Sequence, residues 1–453
     1  MNVKSLLTKA LLFASSIAFA QEAQLTPTDT LAKAVTAIKD DISLMKKLKF
    51  SGWVQTQFQL ADQTGIETYA GGSNFNANVD DRFSVRRGRL KAIYDNGFSL
   101  YNIQIDISER NVQIREMFVK LSDHKWKAFR LTTGIFNRPF GYEISQSSSV
   151  RETPERARMS QTLFFTERDL GTWLQFQAPT SSKFHFLKLD AAVVSGTGIT
   201  NVNNLGASVA DASKNTQNNT SGGNDFDFQK DFIGRISGEK TNKSQKVTVS
   251  GGLSYYYGGY RTGNKQIWKN SSSHAGFDCD SSLSNVGTIV KRIHYGADFQ
   301  LTIDNPLGLT TLRGEFIMGQ MPGLGYRTYN STPYSQPLTP IYYRNFNGAY
   351  FYFVQRFGKS KHTIVVKYDW YDPNVNVKGT QIGAAGSNTS ATDVRFDTWG
   401  FGYLYNLDAN VKLSVYYDMV KNESTLISNA DPRKDFSKDI KDNVLTLRIQ
   451  YKF

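Results

Sequence analysis

The sequence has little of what a soluble enzyme or metalloprotein requires. Its one cysteine, Cys279, sits in Asp278-Cys279-Asp280. A lone thiol closes no internal disulfide and excludes structural zinc or iron–sulfur centres built from several cysteines. The five histidines, His124, His185, His274, His294 and His362, are scattered without metal-ligand spacing, and no Ser/His constellation marks a hydrolase. Acids near Asp278 and in Asp372-Pro373-Asn374 read as solvated loop charge. No catalysis, metal or cofactor is therefore expected. Long Lys/Arg runs are missing too, so the formal charge of +13 does not point to nucleic acid. Long apolar runs are also absent. The longest, Ala10 to Ala20, falls well short of the ~20 residues of a transmembrane helix.

That short run has another reading. Lys4 and Lys9 precede it and Ala18-Phe19-Ala20 closes it, the arrangement of a secretory signal peptide over 1–20 with the mature chain starting near Gln21. Loss of those two lysines lowers the charge from +13 to +11. Downstream, a hydrophobic content of 40% and a mean hydropathy of −0.42 look soluble, whereas 36 Gly, 23 Tyr and 30 Phe suggest sheet and aromatic girdles. A transmembrane β-barrel reconciles the two, because only alternate strand residues must be apolar.

Val444 to Phe453 displays that alternation. Leu445, Leu447, Ile449, Tyr451 and Phe453 point one way, and Thr446, Arg448, Gln450 and Lys452 the other. A lipid face without charge and a luminal face carrying Arg448 fit the closing strand of a barrel. From Phe50 onward, sixteen such segments can be marked at 50–61, 82–94, 97–108, 112–122, 128–138, 170–178, 184–195, 230–239, 246–257, 289–303, 309–319, 346–357, 362–372, 394–406, 410–421 and 443–453. Connection length then sorts by parity. Short turns such as Asp95-Asn96 and Gly358-Lys359-Ser360-Lys361 alternate with long Gly/Ser/Thr/Asn-rich loops at 62–81, 139–169, 196–229, 258–288, 320–345, 373–393 and 422–442. Only the outer gap near Glu109-Arg110-Asn111 is short. The expected fold is all-β: an antiparallel transmembrane barrel of about 16 strands over 50–453, wide enough for an aqueous channel.

Residues 21–49 should form a short periplasmic helical segment. Asp29 or Thr30 can cap it, and Leu31, Val35, Ile38, Ile42 and Met45 make a coiled-coil stripe. Such a helix either associates in an oligomer, or lies across the barrel mouth or frays.

The third outer loop, 138–169, is the expected constriction. It carries Arg138, Arg151, Arg156, Arg158 and Arg168 against Glu143, Glu152, Glu155, Glu167 and Asp169, and Pro154 could open a short helix within Ser149–Arg158. Either the loop folds inward and its arginines face carboxylates across an anion path, or the charges pair and pin it to the wall. On the second strand, Arg87, Arg89 and Lys91 share one face, which should be luminal because arginine facing mid-bilayer lipid costs roughly 2–4 kcal/mol. Arg86 lies on the wrong parity, so the strand is bulged there or stands beyond the lipid. Arg313, Glu315, Lys367, Asp369 and Lys412 read as paired charges of the luminal wall.

Two motifs carry a family resemblance. Phe83-Ser84-Val85-Arg86-Arg87-Gly88-Arg89-Leu90 resembles the arginine-rich second strand of the phosphate-selective porin O and P family. Gly134-Ile135-Phe136-Asn137-Arg138-Pro139-Phe140-Gly141-Tyr142-Glu143, followed by Phe164-Phe165-Thr166-Glu167-Arg168, is similar to its third-loop region. The resemblance implies a sixteen-stranded, usually trimeric outer-membrane channel in which loop three narrows the lumen and basic side chains guide anions. This loop departs from the family in lacking a lysine cluster. The expected partners are outer-membrane lipids, other copies in a homotrimer, small solutes or anions, and the barrel-assembly machinery, which would read Phe453. A structural or adhesive barrel acting through its outer loops is the alternative.

Overall fold

The computed structural model describes residues 27–109, 112–164, 167–196, 198, 227–325 and 337–453. The expected signal peptide lies outside them.

The chain divides into two units. The first, up to Lys49, contains helix α1 (Pro27–Lys47). It starts ahead of the expected caps Asp29 and Thr30, on Pro27, whose missing N–H does no harm in a first turn. The second unit, Phe50–Phe453, is a closed antiparallel barrel with sixteen wall strands.

In chain order the strands are β1 (Leu48–Ala61), β2 (Asp81–Asp95), β3 (Ser99–Ile107), β4 (Val112–Ser122), β5 (Phe129–Asn137), β6 (Arg168–Gln177), β7 (Leu187–Val194), β8 (Asp231–Thr241) and β9 (Val247–Arg261). Then come β10 (Ile267–Asn270), β11 (Phe277–Asp280), β12 (Ile289–Asn305), β13 (Gly308–Leu324), β14 (Ile341–Phe357), β15 (His362–Asp372), β16 (Phe396–Asn406), β17 (Val411–Asn422) and β18 (Val444–Lys452). Each wall strand pairs with its neighbours, β9 with β12 across the loop hairpin β10–β11, and β18 with β1 to close the ring. All sixteen expected strands are present, with ends shifted by a few residues. The hairpin was not expected, because its four-residue strands sit inside a polar loop. It is held by parallel pairing of Ile267 and Trp268 with Ile341 and Tyr342 of β14.

Burial follows the alternation. On β18, Thr446, Arg448 and Gln450 are buried in the lumen, while Leu447, Ile449 and Tyr451 are exposed on the outer face, where lipid is the solvent. The core lies inside the barrel: Phe140, Ile144, Met159 and Phe164 of the third long loop pack against Tyr256 of β9 and Phe346 and Tyr350 of β14. This loop is therefore folded into the lumen. Its helix, α2 (Arg158–Leu163), starts later than the expected Ser149–Arg158. The segment before it is held to the wall by its backbone carbonyls, and the first turn forms where Ala157 N and Arg158 N meet the carboxylates of Glu143 and Asp369.

The candidate constriction and its arginine chamber

The loop enters the lumen through a tight turn. Arg138 is bonded to Asp169 at 2.8 Å, and Gly141, at φ +60, donates to Ser254 Oγ. The amides of Tyr142 and Glu143 both donate to Glu315 Oε2 at 3.1 Å. The chain then runs along β13, β17, β18 and β1. Glu152 pairs with Arg313 of β13 and Lys412 Nζ of β17 donates to the Arg151 carbonyl. Gln55 of β1 and Gln450 of β18 donate to the carbonyls of Ser148 and Ser149, and Arg448 donates to that of Pro154.

Glu155 is the principal anchor. Arg86 Nε, Arg87 Nη2 and Arg448 Nη2 lie 2.8, 2.7 and 3.2 Å from its carboxylate. Although burial opposes it, these guanidiniums hold the Glu155 carboxyl well below the usual carboxylate range. Glu167 is likewise held well below it, against burial, by Arg156, Arg168 and Arg115.

Two breaks in strand alternation supply part of this charge. Arg86 and Arg87 are consecutive yet both reach Glu155, so two neighbouring residues face the lumen, as at a β-bulge. This resolves the parity of Arg86. On β4, Gln104 opposes Glu116 and Ile105 opposes Ile114, leaving Arg115 as the extra residue. Arg115 turns inward to Glu167 at 3.4 Å beside Glu116, which binds Arg168 at 3.0 Å.

Between the loop and β2–β4 lies a cavity of about 330 Å³, room for about ten waters. Its charged lining is Arg86, Arg87, Arg89, Arg115, Arg151 and Arg156 against Asp106, Glu109, Glu155 and Glu167, six cations to four anions, hence +2. Arg151 is its distinctive member. It is 3% exposed, and Nε, Nη1 and Nη2 have no hydrogen-bond partner among the described residues. Burial, then Arg156 and Arg87, push its guanidinium down to about 9, still cationic at neutral pH. A separate pocket of about 10 Å³ lies where Glu155 and Arg158 approach Lys367, Asp369 and Asp418.

Of the residues named from sequence, the chamber unites Arg87, Arg89, Arg151, Arg156, Glu155 and Glu167. Arg138 and Glu152 are engaged with Asp169 and Arg313 at the wall. Arg158 lies over the rings of Phe396 and Tyr69, its guanidinium carbon 3.7 and 4.7 Å from their centroids. Arg168 binds Glu116 and Glu167, and Lys91 stands 3.9 Å from Glu116. Arg115, Asp106 and Glu109 were missed; only the bulge brings Arg115 in, and a single strand read at period two does not reveal it. Arg313, Lys367 and Asp369 have opposite charges as partners, as expected, whereas Glu315 takes the amides of Tyr142 and Glu143 and the hydroxyl of Tyr350, and Lys412 a backbone carbonyl, because the loop offers them dipoles rather than counter-charges.

A closed sixteen-stranded barrel with a mainly apolar outer face and a long loop folded into its lumen is the architecture of an outer-membrane channel. Residues 40–246 match the model of the family phosphate-selective porin O and P, bearing out the resemblance read from the two motifs. The fold is similar to that of the outer membrane channel DcaP of Acinetobacter baumannii, at 11% identity and TM-score 0.49 over 90% of this chain and 97% of that one. It is also similar to an anion-selective porin from Comamonas acidovorans, at 10% identity and TM-score 0.48 over 90% and 99%. OmpT of Vibrio cholerae, in its trimer form, follows at 8% and 0.46 over 90% and 99%. A comparison with curated proteins found no match.

Proposed function

We propose that this outer-membrane channel prefers small anions, phosphate among them, and that the arginine chamber is its selective passage. The observation that carries the reading is Arg151, a buried guanidinium with three partnerless nitrogens facing a chamber of net positive charge. An unpaired buried charge is costly, so water or a passing anion must solvate it. At about 4 Å a unit charge attracts its opposite by about 1 kcal/mol in water and about 4 at an effective dielectric near 20. A chamber between those limits draws anions in without trapping them. Below it, Lys91, Lys120, Arg130 and Lys188 occupy luminal positions of β2, β4, β5 and β7 and continue the positive wall to the short-turn end.

In this reading the barrel is a homotrimer in outer-membrane lipid, delivered by the assembly machinery that reads Phe453. Reversal potential in a salt gradient tests the preference. Wild type is expected to favour chloride or phosphate over potassium, and Arg151→Ala to lower that ratio with little loss of barrel stability. A cation-preferring wild type, or an unchanged ratio in the variant, rejects the reading.

A further inference from the structure

The apolar stripe of α1 is exposed. Leu31, Val35, Ile38, Ile42 and Met45 are exposed at 65, 41, 56, 46 and 73%. Their steps of four, three, four and three place Val35 and Ile42 at heptad position a, and Leu31, Ile38 and Met45 at d. Most helical stability comes from packing an amphipathic face, so a helix displaying such a row gains nothing from it alone.

We propose that two further copies of this chain cover the stripe, forming a parallel, in-register three-stranded coiled coil. The charge pattern selects a copy of itself. The heptad puts Asp41 at g and Lys46 at e, five residues apart, the offset at which g of one strand meets e of a parallel neighbour. Every interface between strands then joins opposite charges. Antiparallel pairing would set e against e and bring Lys39 to Lys46, two like charges. The number of strands follows from the central layers, where Ile38 at d and Ile42 at a are both isoleucine, a combination that favours three strands over two. Three barrels held together in a membrane raise the effective concentration of the helices, which offsets the weakness of so short a coil.

The test uses the full-length protein in outer-membrane vesicles, with Cys279→Ser removing the only native thiol. Leu31→Cys lies near one end of the stripe, so only parallel strands bring two copies of it together. Oxidation is expected to give a covalent dimer on a non-reducing gel. Lys33→Cys, at outward position f, is expected to give none. Asp41→Lys in the Leu31→Cys chain should weaken the dimer band, and adding Lys46→Asp should restore it. Absence of the Leu31 dimer, an equal band from Lys33→Cys, or an adduct to a different protein overturns the proposal. Conductance and reversal potential of the same samples report the channel independently, so failure of one reading is distinguishable from failure of the other.

Discussion

Arg86 and Arg87, adjacent on one strand, both donate to the Glu155 carboxylate, at 2.8 and 2.7 Å. A regular strand would send them to opposite faces. The local irregularity thus gives the third long loop two donors from one level of the wall, and Arg448 from β18 adds another.

Replacing that carboxylate should loosen the loop. Glu155→Gln leaves buried arginines without their counter-charge, a change worth about 3–5 kcal/mol. The folded barrel should lose its heat-modifiable mobility on gels at a lower temperature, and proteases should cut within 138–167 more readily. Unchanged behaviour in both assays would contradict the role given to Glu155.

The entry turn offers a separate test. Gly141 has φ +60, and a Cβ there would lie 1.8 Å from Glu315 Oε1. Gly141→Ala should push the turn off Glu315 and add about 1–3 kcal/mol of backbone strain, giving larger or noisier conductance steps. Gly97→Ala, also at positive φ but with nothing within 4 Å, carries strain without the clash and should leave conductance alone. Equal effects from the two variants would sink the assignment.

Asp442 gives a pH dependence. Burial pushes this loop carboxyl up to about 7, with Arg158, 3.9 Å away, opposing the rise. A raised folded-state value means the folded loop favours the protonated form. Its contribution is fully present below the ordinary carboxylate value of about 4 and is lost as pH rises through about 7. Hydrogen exchange in 423–443 should therefore accelerate between pH 5 and 8 by more than the intrinsic chemistry does, and Asp442→Asn should abolish the excess. The same excess in wild type and variant would refute the linkage.

Deletion of Phe453 should impair insertion more than conductance. Its backbone exchanges hydrogen bonds with Gly52 at 3.0 and 3.1 Å across the barrel seam, and its ring is the proposed assembly signal. Yield of folded barrel in the membrane measures the first effect and single-channel steps the second. Normal insertion of the truncated chain would count against the signal role.

The wall was legible because its rule is local. Period-two alternation, as in Leu447, Arg448 and Ile449, marks each strand by itself, and loop composition marks the gaps. The site was only half legible because its rules are not local. Arg115 faces the lumen only because β4 carries one residue more than β3 opposite it. Helix α2 begins where Glu143 and Asp369 receive its amides, and neither carboxylate adjoins it in sequence. Pro154, the expected helix start, instead offers its carbonyl to Arg448.

The seam between β1 and β18 bears on how the protein is made. Trp53 lies opposite Lys452 and Ala61 opposite Val444, so β1 meets its second neighbour only through residues near the far end of the sequence. Hairpins β2–β3 and β12–β13 can zip as they emerge, but the ring closes last and pays its loop entropy late. Until then β1 and the newest strand are raw edges able to pair with other chains. A chain stalled before Val444 is therefore an aggregation hazard rather than a narrower pore.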